Sequence, residues 1–198
     1  QRIKLQKVKI IGRMAFWNSG VEDAEFGEDL ETIGNSAFRG SKLTRIAIPL
    51  KDGMFQWSDY YGTYTQFSDC NNLTTVDLVG RIHKTVASLH FESWRSEISE
   101  VIQRINQILP STDSDEKAGV IRQWIQSVIG KIDHYKAEHR VLVKEAAALL
   151  ELALWKAKLD DFTIEDHKCS AEEKTAKKAK IDDECARREA RITSGADI

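Results

Sequence analysis

Cysteine is scarce in this sequence: Cys70, Cys169 and Cys185 are the three among 198 residues. They are too few and too scattered for a disulfide framework, so they read as reduced thiols in a reducing compartment, with a single disulfide as the alternative. Neither sign of charge is in excess. The 29 basic and 31 acidic residues give a formal charge of −2 and a pI near 6.3, whereas a nucleic-acid binder carries a clustered basic excess. No nucleic-acid partner is expected. Long apolar runs are missing too: the densest stretch, Ala146 to Trp155, is broken by Glu151 and followed by Lys156 and Lys158. That excludes a transmembrane segment and makes the chain read as soluble. It opens on Gln1 rather than Met, so it reads as a fragment or a processed chain, with any targeting segment lying upstream.

The usual signatures of chemistry are also missing. There is no G-x-x-x-x-G-K-[ST], G-x-G-x-x-G, G-x-S-x-G, H-E-x-x-H or C-x-x-C. His134 and His139 are five apart, which on one helix points them in different directions and disfavours a shared metal. Asp113-Ser114-Asp115 resembles the opening of a calcium loop, but Lys117, Ala118 and Trp124 stand where a third oxygen ligand, a glycine and a closing glutamate belong. Cys169 and Cys185 sit among lysines without a paired histidine base. No catalytic residue, cofactor or metal is expected, and the chain is not read as an enzyme.

What is present is an ordinary globular balance, 41% hydrophobic and 30% charged. The length suffices for one good core or two small domains. The strongest internal signal is a repeat. Ile11-Gly12-Arg13-Met14-Ala15-Phe16 recurs 22 residues later as Ile33-Gly34-Asn35-Ser36-Ala37-Phe38. Each Phe is followed by an apolar ladder: Val21, Ala24 and Phe26; then Leu43, Ile46 and Ile48; then, after Phe67, Leu73, Val76 and Leu78. Alternation puts the last two residues of each ladder on one face of a short strand. Stacked strands would make a parallel sheet, while the I-G-x-x-A-F turn returns the chain, its Phe filling the core and its small residues letting coils approach.

These residues resemble the BspA-like leucine-rich repeat, roughly L-x-x-I-G-x-x-A-F-x-x-C-x-x-L-x-x-V-x-L-P. Leu30-Glu31-Thr32-Ile33-Gly34 and Leu43-Thr44-Arg45-Ile46-Ala47-Ile48-Pro49 follow it closely. The family cysteine, a buried filler, survives as Cys70, and the first two turns run one residue short. The stretches "GVEDAEFGEDLETIG", "LTRIAIPLKDGM" and "NNLTTVDLVG" are similar to algal (diatom) proteins that join such repeats to a helical tail. The resemblance implies an architecture and hardly any function.

The chain departs most from the pattern between Gly53 and Gln66, where Met54, Phe55, Trp57, Tyr60, Tyr61 and Tyr64 alternate with polar residues. Aromatic loops of this kind make binding hot spots; the competing reading is that the rings fold back and are buried. A second candidate surface is the outward row of the strands, mildly acidic, which includes Asp23, Glu25, Arg45, Ala47 and Asp77. The candidate contacts for a partner are therefore Phe55, Trp57, Tyr60, Tyr61, Tyr64 and Arg45.

After Gly80 the period changes. Phe91, Trp94, Ile98, Val101, Ile102, Ile105, Ile108 and Leu109 follow helical spacing up to Pro110. Residues 111–116 offer N-caps, with Asp113 and Glu116 at capping-box spacing, for a second stripe of Ile121, Trp124, Ile125, Val128 and Ile132. Residues 135–160 contain neither Pro nor Gly and are apolar nearly all round, so burial on most sides is expected. From Ile164 onward the chain turns polar, with one weak stripe of Ile181, Cys185 and Ile192.

The expected fold is α+β: a short leucine-rich-repeat solenoid of parallel strands, then an antiparallel helical hairpin or bundle. Residues 1–88 form the repeat segment with its insertion at 53–66, 89–162 a domain of two to three helices, and 163–198 a charged helical tail. The expected function is a non-catalytic protein–protein interaction module with another protein as partner. The alternative is a structural subunit of a larger assembly, held through its apolar C-terminal helices.

Overall fold

The alternating ladders do form strands. In a computed structural model, β1 (Arg2–Leu5), β3 (Asp23–Phe26), β5 (Arg45–Pro49) and β6 (Thr75–Val79) make one parallel sheet in the order β1-β3-β5-β6. The register aligns Ile3 with Ala24, Ala24 with Ile46, and Ile46 with Val76, so the inward row is continuous from coil to coil. Ala24, Phe26, Ile46, Ile48, Val76 and Leu78 are all buried. β2 (Ile10–Ile11) and β4 (Thr32–Ile33) form a second, smaller parallel pair, extended by a bridge from Ile33 to Phe55. The structure describes the backbone of residues 1–193, and the side chains of residues 1–159 together with Lys178, Ala179 and Asp183. Cys169, Ile181, Cys185 and Ile192 lie outside the described side chains.

Between the two sheets runs the I-G-x-x-A-F turn, and its phenylalanines stack as expected. Phe16 and Phe38 lie 5.0 Å apart with their planes nearly parallel, Phe38 and Phe67 5.7 Å apart. Successive turns are laced by backbone bonds, among them Phe16 N–H to Ala37 O (2.7 Å) and Phe38 N–H to Gln66 O (2.9 Å). Cys70 is buried in the third turn, where its Sγ donates to Phe38 O at 2.8 Å; burial pushes its thiol above the ordinary value.

The motif glycine is needed where one coil lies on another. A Cβ added at Gly34 would come within 2.6 Å of Arg13 N and 2.8 Å of Gly12 C, whereas one added at Gly12 meets nothing within 4 Å. Both contacts at Gly34 are backbone and cannot swing away. Gly34→Ala is therefore expected to cost about 1–3 kcal/mol by forcing the coils apart, and Gly12→Ala to change stability by less than about 0.5 kcal/mol. Equal urea midpoints for the two variants would contradict this packing.

At the other end of the sheet the chain becomes helical. α1 (Ile82–Ala87) leads to α2 (Glu92–Ile108), which Pro110 ends in a single 3-10 turn, Leu109–Ser111. α3 (Lys117–Thr193) follows, its entry shaped by Asp113, whose Oδ1 accepts from Asp115 N–H at 2.9 Å. It runs through Gly130–His134 without a break. Its first turns pack antiparallel to α2: Trp94 stacks on Tyr135 at 4.8 Å, Trp124 Nε1 donates to Val101 O at 2.9 Å, and Tyr135 donates to Glu97. Both stripes read from the sequence supply this core, with Ile98, Ile105, Leu109, Ile121, Ile125, Val128 and Ile132 buried together with the repeat residues.

The helices close the last coil. The outer edge of β6 would expose unpaired backbone, but Asn106 Oδ1 accepts from Val76 N–H at 2.8 Å. Lys117 is 1% exposed; its Nζ donates to the carbonyls of Cys70, Asn71 and Leu73 at 3.0, 3.1 and 2.8 Å. These are carbonyls of the final turn, which has no further coil to receive.

Gln1–Arg140 is one compact unit and Val141–Ile198 a second. In the second, every side chain from 141 to 159 is exposed, with Leu149 and Trp155 each at 68%. The burial expected for residues 135–160 is thus met at Tyr135 and not beyond 140: no described residue covers the apolar circumference there.

Candidate functional site: the aromatic turn face

The insertion at 53–66 is anchored at both ends and free at its tip. At its start Met54 and Phe55 are buried, Phe55 edge-on to Phe67 at 5.8 Å. At its end Thr65 and Gln66 are buried, and Gln66 Nε2 donates to Gln56 O at 2.6 Å, closing the loop's neck. A bridge between Ser58 and Thr63 makes a small antiparallel hairpin, with Gly62 in the left-handed region at φ 60°. α3 braces the neck, through Arg122 over the Tyr64 ring at 5.1 Å and Gln126 Nε2 to Asp52 Oδ1 at 3.2 Å.

The six residues singled out from the sequence therefore separate. Phe55 belongs to the core and is not a surface contact, because the strand-like bridge to Ile33 turns its ring inward. Tyr64 is partly buried, edge-on to Trp57 at 5.0 Å. Trp57, Tyr60 and Tyr61 are exposed at 51, 88 and 53%, with Tyr60 and Tyr61 in an edge-to-face pair at 4.8 Å. Arg45 is elsewhere, on the outward face of the sheet. Its guanidinium donates to Asp23 Oδ1 at 2.8 Å and to Asp77 Oδ2 at 2.6 Å. Partial burial pulls it down, but those two carboxylates outweigh this and leave it above the ordinary arginine value.

That outward face is also not acidic, as the sequence suggested, but neutralised. β1 contributes Arg2 and Lys4, which pair with Glu25 at 3.2 and 2.7 Å, and Ala47 is buried between its neighbours. A lattice of internally paired charges has little left to offer a partner.

The exposed rings belong to a broader face made by the turns. Asn35 Nδ2 donates to Trp57 O at 3.3 Å, tying the hairpin to the second turn. Arg39 of that turn pairs with Asp69 at 2.9 Å; Asp69 first, then the nearby Tyr61 hydroxyl, hold its guanidinium above the ordinary value. Arg39 O accepts from Asn18 N–H at 2.9 Å, beside Trp17, which is 54% exposed. Trp17 is an exposed ring of the first turn that sequence reasoning missed. Its signal was a tryptophan directly after the inward-facing Phe16, where an extended or turning chain points outward.

The match to known families fits this geometry: the BspA type leucine-rich repeat region, in its six-copy form, covers residues 1–109. The chain belongs to the BspA-type leucine-rich-repeat family. Repeats of this kind generally mediate protein–protein interaction and are typically not enzymes. No curated protein and no solved structure matches the chain.

Among the described residues, the BspA-type repeats and their helical cap enclose a larger and a smaller concavity. The larger, about 590 Å³, sits at the C-terminal ends of β5 and β6, with Pro49, Leu50, Val79, Ile82 and Ile132 as its apolar wall. Its charges are engaged: Arg81 with Glu28 at 3.7 Å, Lys136 with Asp133 at 3.7 Å, and Lys51 Nζ with the carbonyls of Glu28 and Leu30 at 3.1 Å each. The smaller, about 130 Å³, brings together two residues that the sequence kept apart, His90 and His139, whose rings are 4.3 Å apart. Among the described residues no three His, Cys, Asp or Glu side chains are grouped as metal ligands would be, and no helix is long and apolar enough to cross a membrane.

Proposed function

We propose that this BspA-type repeat module recognises another protein through the aromatic turn face formed by Trp17, Trp57, Tyr60 and Tyr61. The observation that carries this is the exposure of three large rings on a hairpin whose neck is fixed by burial, hydrogen bonding and a cation–π contact. Rings held in place lose little entropy on binding, and Trp and Tyr dominate interface hot spots. The mechanism is burial of this face, and no reaction is involved.

The test is a Trp57→Ala, Tyr60→Ala, Tyr61→Ala variant, which should keep its fold because all three rings are exposed. A purified partner that binds the wild type is expected to lose roughly 30-fold or more in affinity, the size of one hot spot. Unchanged affinity, alongside a large loss on Arg45→Ala, would move the site to the sheet face.

A second reading, a structural subunit of a larger assembly held through its C-terminal helix, is supported by the exposed leucines at 149, 150, 152, 154 and 159. Apolar surface of this extent is more than a monomeric protein ordinarily leaves in water.

A further inference from the structure

Two apolar stripes run along α3 between Val141 and Leu159. Val143, Ala146, Leu150, Ala153 and Ala157 recur at three-and-four spacing; Val141, Ala148, Leu152, Trp155 and Leu159 form another line on a different side. Lys144, Glu151 and Lys158 separate them on one flank, Glu145 and Lys156 on the other. We infer that the alanine-rich stripe is the seam of a homodimer, in which this segment pairs antiparallel with the same segment of a second copy. This rests on the assembly reading above and names its partner.

Three features of the stripe fit a second copy. First, alanine at three of five positions lets two backbones approach closely, which suits a surface as smooth as itself. Second, the stripe is self-complementary when reversed. Antiparallel pairing sets Leu150 against Ala153 of the other copy and Ala146 against Ala157, large against small and small against small. Parallel pairing in register would set Leu150 against Leu150 and leave the alanine layers gapped.

Third, two charges on one flank, Glu145 and Lys156, meet each other in the reversed direction. Glu145 and Lys156 lie about three turns apart on the same side of the seam, so an antiparallel copy brings each opposite the other's counterpart. A parallel copy turns Glu145 toward the other flank, that of Lys144, Glu151 and Lys158, and away from Lys156. A bilayer surface suits the segment less well, because helices that lie on membranes carry a polar face rich in Lys and Arg, and here Glu145 and Glu151 interrupt it.

The experiment is sedimentation equilibrium of the full chain across a concentration series, with an apolar dye added in a parallel series. The expected mass is twice 22.5 kDa, or an even multiple of that. Ala153→Arg should give a monomer of unchanged helix content, since the residue is exposed in the isolated chain. Glu145→Lys should raise the dissociation constant roughly 5-fold or more, and adding Lys156→Glu should restore it. A wild-type monomer overturns the proposal: with dye binding, assembly with a different protein survives; without it, the assembly reading falls too. Dimers untouched by Ala153→Arg, or not restored by the double charge swap, overturn the seam and its direction respectively.

Discussion

Lys117→Met is expected to lower folding stability by about 3–5 kcal/mol, seen as a reduced urea midpoint at unchanged slope. The methionine fills much the same volume, so the loss is electrostatic rather than steric. Leu73 O would lose its donor in a buried site and Asn71 O in a partly buried one, while Cys70 O would keep only Leu73 N–H at 3.2 Å. A hydrogen bond to a charged donor contributes about 1.5–3 kcal/mol, and the loss of three accounts for the estimate even if the turn relaxes in part. Lys131→Met provides the contrast. Lys131 pairs with Glu97 at 2.9 Å on the surface, and losing it should change stability by less than about 1 kcal/mol.

The same residue gives a pH dependence of known sign. Burial holds the Lys117 ammonium below the ordinary lysine value, opposed by the nearby Cys70 and Asp113. The unfolded chain therefore binds this proton more tightly than the folded one, and stability contributed by this group rises as pH climbs toward the ordinary lysine value. Lys117→Met should flatten that rise. An alkaline stability profile identical in the two proteins would show that Lys117 does not titrate as a buried group.

Phe38→Ala is expected to cost about 3–5 kcal/mol, and Phe16→Ala clearly less. Phe38 is wholly buried at the centre of the turn ladder, between Phe16 at 5.0 Å and Phe67 at 5.7 Å, with the edge of Phe26 at 6.2 Å. Truncation leaves a void that three coils line and none can fill alone, because each is tied to its neighbours by backbone bonds. Phe16 has a neighbour on one side and is only partly buried, so it loses less. Buried Trp124 in the helical cap should report the Phe38→Ala transition at the same midpoint as far-ultraviolet dichroism of the repeats' unit, if Gln1–Arg140 unfolds as the single core it forms. Equal losses at Phe16 and Phe38 would contradict the ladder.

Much of this was legible in the residue order. The recurrence of I-G-x-x-A-F, and the ladder after each Phe, carry the coil because stacking one repeat on the next needs the same residue type at the same place. Likewise, the two helical stripes carry their own burial, since period and solvent exposure are both local properties of a helix. β1, Arg2–Leu5, lies in the segment read as repeat but was not itself picked out as a ladder. The aromatic insertion was legible as a departure from the repeat, but not which of its rings would face water.

That division was decided in three dimensions. Phe55 and Trp57 are two residues apart in the same loop, yet the bridge to Ile33 draws one into the core and leaves the other outside. Arg45 looked available until register placed it between Asp23 and Asp77, one strand away on each side. In the sequence Lys117 stood out only as a mismatch to a calcium loop; the last coil brings it three carbonyls that no further strand meets. By itself, then, the sequence determined the repeating unit, the helical stripes and the family, because these depend on spacing along the chain. Tertiary structure alone decided which charges are spent inside the fold and which rings remain for a partner, because both depend on neighbours 20 to 50 residues away, as with Lys117 and Cys70.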